Sequence, residues 1–141
     1  MDKIALKFRL RPEYHDRAPK MSVTLNEEVL FDGEVVEARD FEQDLELEDE
    51  STYKLRFNLY DKQDKDTVVD QDGNIVKDQT INITGIKFDD IAIDMILPWK
   101  IDWFYYSHDG ARTPFYDTMG RNGSSVITFK TPLYDWLLEN L

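Results

Sequence analysis

Residues 53–60, YKLRFNLY, and residues 80–88, TINITGIKF, bracket the acidic stretch 61–79, DKQDKDTVVDQDGNIVKDQ. Tyr53, Leu55, Phe57 and Leu59 recur at every second position, as do Ile81 and Ile83, so each set lies on one face of a β-strand. Between them stand Asp61, Asp64, Asp66, Asp70, Asp72 and Asp78. Within the stretch, Val68 to Val76 reads as a small hairpin, because Asp72-Gly73 supplies the positive-φ residue a tight turn needs. Gly85 marks a bulge where the alternation of the second strand slips by one residue. Two strands around an acidic loop suit a β-sandwich with a hard-cation site or an adhesive loop better than a small enzyme with a buried nucleophile.

The same alternation extends outward. Ile4, Leu6, Phe8 and Leu10 alternate with Lys3, Lys7, Arg9 and Arg11, giving a half-buried strand with a basic outer face that is expected to end at Pro12. Met21, Val23 and Leu25 form the next strand, followed by Val29 to Phe31, with Asp32-Gly33 as an interruption. Val35, Phe41, Leu45 and Leu47 continue the pattern, and Ile91, Ile93 and Met95 repeat it. Pro98 to Gly123 reads as irregular and aromatic. Ser125 to Phe129 is a last strand. Thr131 is the expected N-cap and Pro132 the first residue of a short helix whose apolar face is Leu133, Trp136 and Leu137. About eight or nine short strands separated by turns predict an all-β antiparallel sandwich of jelly-roll type with a C-terminal helix. The chain is expected to be one domain, 1–141, with 131–141 as its helical segment.

Composition narrows the functional classes. The 141 residues include 29 acidic and 17 basic side chains, a net charge of -12, which repels nucleic acid and anionic membranes. Cysteine is absent, which removes disulfides, thiolate zinc sites and thiol nucleophiles. No signal peptide and no apolar run of membrane-spanning length are visible. These features fit assembly in a reducing cytoplasm.

Three constellations carry possible chemistry. Calcium takes six to eight oxygens from carboxylates and carbonyls, and Asp61, Asp64, Asp66, Asp70 and Asp72, with Asn58 or Asn74, offer them. The EF-hand pattern fails, since placing Gly73 at its glycine would make Val68 the first ligand and Gln79 the last. A cation site and a solvated acidic loop therefore stand as two readings. Trp99, Trp103, Phe104, Tyr105, Tyr106, Phe115 and Tyr116 form an aromatic region that suits core packing, a protein interface or a glycan platform. Ser107-His108-Asp109 has the letters of a triad, but adjacent residues point apart and cannot converge. No catalytic residue is expected.

Residues 57–61, FNLYD, through residues 78–83, DQTINI, resemble the calcium-dependent xylan-binding carbohydrate-binding modules. That resemblance implies a β-sandwich in which Asn58, Asp61 and Asp78 contact a cation or sugar. The combination of KMSVTLNEEVLFDGEV, YDKQDKDTVVDQDGNIVKDQ and the ending FKTPLYDWLLENL is similar to small virion-associated proteins of tailed phages, especially large marine ones. It implies a non-enzymatic structural or decoration protein of the virion, assembled in the host cytoplasm. Such a protein would be an oligomer or part of a larger assembly, with other virion proteins as partners. Its expected interface residues are Trp99, Trp103, Tyr105, Tyr106, Tyr134, Trp136 and Leu137.

Overall fold

A computed structural model describes residues 1–93, 102–107, 112–115 and 118–140. The expected strand residue Met95, together with Trp99, His108, Asp109 and Tyr116, lies outside the described residues. The chain forms two antiparallel sheets packed face to face, the sandwich the alternation implied. The first has the order β12 (Thr118–Met119), β8 (Thr80–Phe88), β1 (Asp2–Glu13) and β4 (Arg39–Leu47), with β9 (Ile91–Ala92) also paired to β8. The second runs β11 (Arg112–Pro114), β10 (Asp102–Ser107), β13 (Gly123–Lys130), β5 (Thr52–Tyr60), β2 (Lys20–Leu25) and β3 (Glu28–Glu34). A separate hairpin joins β6 (Val68–Val69) to β7 (Ile75–Lys77). The helix α1 spans Leu133–Asn140.

The inward positions of both sheets make one core. Ile4, Leu6, Phe8, Leu10, Leu55, Phe57, Leu59, Ile81 and Ile83 are all buried, as their period of two required. Phe8 of the first sheet meets Phe57 of the second edge-on at 5.1 Å, and Phe88 meets Phe129 at 4.8 Å. Aromatic pairs in this range add attraction beyond the area they bury. Gly85, at φ 65°, sits where the β1–β8 register slips between Lys7 and Arg9, which is the bulge read from the sequence.

Four expectations are corrected. Pro12 does not end β1, which continues to Glu13. Pairing with β4 stops at Leu10 and only β8 accompanies Pro12, so the strand is an edge there and tolerates a residue without an N–H. Asp32-Gly33 does not interrupt β3. The slip in the β2–β3 pairing falls instead between Val23 and Thr24, opposite Phe31 and Val29. The region from Pro98 to Gly123, read as irregular, contains β10, β11 and β12. Finally, Thr131 does not cap α1. Its hydroxyl donates to the Glu48 carbonyl at 2.5 Å and accepts from the Ser51 amide at 3.0 Å. The carboxylate of Asp2 accepts from the Leu133 amide at 2.7 Å, so the orphan donor at the helix start is satisfied from the other end of the chain.

Three of the four cations on the basic outer face of β1 are met by carboxylates of β4. The register places Lys3 opposite Glu46, Lys7 opposite Glu42 and Arg9 opposite Asp40, with N···O distances of 4.0, 3.9 and 2.9 Å. Cross-strand pairing thus largely neutralises this face from within the protein, with Arg11, opposite Asn82, left exposed.

Candidate functional site

The loop from β5 to β8 is held against the sandwich by its own cations. After β5, Asp61 adopts φ 61° and accepts from Lys20 Nζ at 3.0 Å and Gln63 Nε2 at 2.9 Å. The bond from Lys20 is the main reason its carboxyl lies below the usual carboxylate range. A single 3-10 turn, Asp64–Asp66, follows. Asp66 is only 2% exposed. It accepts from Arg17 Nη2 at 2.8 Å and Nε at 3.3 Å and from the Gln63 amide at 2.8 Å. The Arg17 bond holds its carboxyl down against the opposing effect of burial. Arg17 also donates to the Asp61 carbonyl at 2.7 Å.

Asp78 closes the loop. It accepts from Lys62 Nζ, the Thr67 hydroxyl and the Gln79 amide at 2.7, 2.7 and 2.8 Å. Burial alone pushes its carboxyl up, and these three bonds together outweigh burial and leave it low. Lys62 additionally donates to the Gly120 carbonyl at 2.5 Å, and the buried Gln79 side chain donates to the Arg17 carbonyl at 2.8 Å. Arg17 and Lys62 thus pin the two roots of the loop.

From this clamp projects the β6–β7 hairpin. Asp70 accepts from the amides of Asp72 and Asn74, both at 2.9 Å, a side-chain turn of the kind that lets aspartate organise a reversal. Every residue from Val68 to Lys77 is exposed. Val69, Ile75 and Val76 are 56, 61 and 56% exposed, on a ribbon that, among the described residues, pairs with no third strand.

The expected cation ligands are therefore either engaged within the protein or exposed. Asn58 lies on the outer face of β5 and accepts from the Ser124 hydroxyl at 3.0 Å. Asp61, Asp66 and Asp78 hold protein cations, Asp70 holds the turn, and Asp64 and Asp72 are exposed. Among the described residues, no three His, Asp or Glu side chains gather as metal ligands. The clamping residues Arg17 and Lys20 were not singled out from the sequence. Their signal was a pair of basic residues in and after the loop between β1 and β2, which has meaning only once that loop is placed beside Asp61.

The expected interface residues divide by face. Trp103, Trp136 and Leu137 lie in the core, with the Trp103 indole donating to Ser125 Oγ at 2.6 Å. Tyr105 is half-buried and donates to the Asn122 carbonyl at 2.9 Å. It packs across Gly123, where an added Cβ would stand 2.6 Å from its hydroxyl. Tyr134 is exposed, with its hydroxyl donating to Asp89 at 3.2 Å. Tyr106 lies on the outer face of the second sheet, in a shallow groove of about 420 Å³ with Arg56, Asn58, Tyr60, Ser107 and Ser124. A larger groove of about 920 Å³ lies between the hairpin and β12, lined by Ile75, Asp64, Lys62, Phe115, Met119 and Arg121 among others.

The clamp predicts an acid response. A carboxylate whose folded pKa is depressed contributes stability above the ordinary value near 3.9, and that stability is lost as pH falls through the depressed folded value. Asp61, Asp66 and Asp78 all shift this way. Thermal melts at successive pH values should therefore show stability falling steeply below about pH 4. In Arg17→Met, Asp66 keeps its burial without its partner. That variant should melt lower than wild type at neutral pH, and lower than Lys3→Met, whose ion pair is exposed. It should also lose less stability on acidification. Equal acid sensitivity in the two proteins would show that Arg17 does not hold Asp66.

No protein-family model matches the chain, and neither a curated protein nor a solved structure matches it.

Proposed function

We propose that this chain is a non-enzymatic structural module of a multisubunit assembly, of the virion-accessory kind its sequence resembles. In this reading the β6–β7 hairpin docks on neighbouring subunits. The observation that carries the proposal is the exposure of Val69, Ile75 and Val76 on a ribbon with no third strand among the described residues. An isolated two-stranded ribbon is marginal in water, and exposed β-branched side chains with two open strand edges favour addition to another protein. The clamp supports the same reading, because it presents the ribbon from fixed roots. The test is the double variant Val69→Thr/Val76→Thr. Its stability should change by no more than about 0.5 kcal/mol, as for other exposed positions, while its incorporation into the particle falls sharply. Normal incorporation would overturn the proposal.

A second reading is saccharide binding, favoured by the groove around Tyr106, Arg56 and Asn58, where an aromatic ring lies beside planar hydrogen-bonding groups. With the acidic loop engaged by lysine and arginine, this binding would not need calcium. On a glycan array, the expected outcome is chelator-insensitive binding lost in Tyr106→Ala. Binding abolished by chelator would place the site in the acidic loop instead.

A further inference from the structure

The outer edge of the second sheet is β3, which among the described residues pairs with β2 alone. The Val35 amide donates to the Pro19 carbonyl at 2.9 Å. Bonded and non-bonded pairs alternate along an antiparallel ladder, so Gly33 and Phe31 turn their backbone groups toward β2. The amides and carbonyls of Asp32 and Glu34 then face the open edge. We propose that this edge captures an extended lysine- or arginine-rich segment of a partner protein as an added strand.

Charge selects the occupant. Glu27, Glu28, Glu34 and Glu37 are all exposed, and none of them forms an ion pair among the described residues. The carboxylates of β4 and of the acidic loop differ in this respect, since the protein's own cations meet most of them. Lys20 and Arg39, two cations beside the edge, are engaged elsewhere. Lys20, opposite Glu34, reaches Asp61 at 3.0 Å, and the Arg39 guanidinium lies 4.5 Å over the Phe31 ring. Val29 and Val36 flank the edge at 61 and 58% exposure, giving an incoming strand apolar contacts between its charges. Carboxylates along an edge repel a second copy of a chain carrying -12, and the same carboxylates draw in a cationic strand. The register slip beside Val29 restricts regular pairing to the part of β3 from Phe31 onward.

The test is titration with a short peptide of alternating lysine and valine, read by amide hydrogen exchange. Exchange at the Asp32 and Glu34 amides should slow by about tenfold or more as the peptide saturates. Glu28→Lys/Glu34→Lys should weaken binding by about tenfold or more, as should raising the salt concentration. If that variant does not fold like wild type, Glu28→Gln/Glu34→Gln serves in the same titration. Three results would overturn the proposal. One is equal binding of a glutamate–valine peptide. Another is binding of the lysine–valine peptide with the two amides still exchanging freely. The third is concentration-dependent protection of those amides without peptide, which would make a second copy the occupant.

Discussion

Replacing Phe129 with alanine is expected to cost about 3–5 kcal/mol, the range for removing a large buried aromatic side chain. Phe129 is fully buried on β13. Its ring lies 4.8 Å from Phe88 of the opposite sheet, 5.8 Å from Tyr53 on the neighbouring strand and 6.0 Å from Trp136 of the helix. One side chain thus joins both sheets and α1, and no neighbour can collapse into its place without moving an element. Against a total stability of about 5–15 kcal/mol, the variant should have a much lower urea midpoint than wild type. Val29→Ala, at an exposed position, should stay within about 0.5 kcal/mol. A Phe129→Ala loss below about 1 kcal/mol would mean that the sheets do not meet there.

Removing residues 131–141 is expected to unfold the domain. A helix this short is unstable by itself and needs a surface, which the sequence leaves open between its own sheet and a neighbouring subunit. The structure supplies that surface from the same chain. Leu133 is fully buried, Leu137 is 3% and Trp136 6% exposed, and the helix start is capped by Asp2. Burying side chains of this size contributes about 1.5–3 kcal/mol each, so losing three costs roughly 5–9 kcal/mol, comparable to the whole stability. Circular dichroism and near-ultraviolet fluorescence of the truncated protein should show no cooperative melt. A cooperative transition close to that of the full chain would return the helix to the role of an external docking segment.

The fold was legible wherever residue type alternates. β5, β8, the Gly85 bulge and the Asp72-Gly73 hairpin follow from apolar residues at every second position and from two glycines. β10 was hidden because Trp103-Phe104-Tyr105-Tyr106 is aromatic on both faces. Only its register with β13 decides that Trp103 is buried while Tyr106 lies outside. The acidic loop was legible as a loop but not in its chemistry. Its aspartates look like ligands in isolation, and their partners Arg17 and Lys20 arrive from 41 to 49 residues away. The same distance problem concealed the helix cap, whose donor and acceptor are 131 positions apart. Local pattern specified elements, while polar partnerships depended on topology.

In the proposed function, the clamped acidic loop presents an apolar hairpin to a neighbouring subunit. The most direct measurement is photo-crosslinking in the assembled particle, with the reactive side chain placed at Ile75 and, for comparison, at Glu46 on the neutralised face of the first sheet. A discrete crosslink from Ile75 to another structural subunit, unchanged by chelator, is expected, with little or none from Glu46. Crosslinks from Glu46 with Ile75 silent would contradict it.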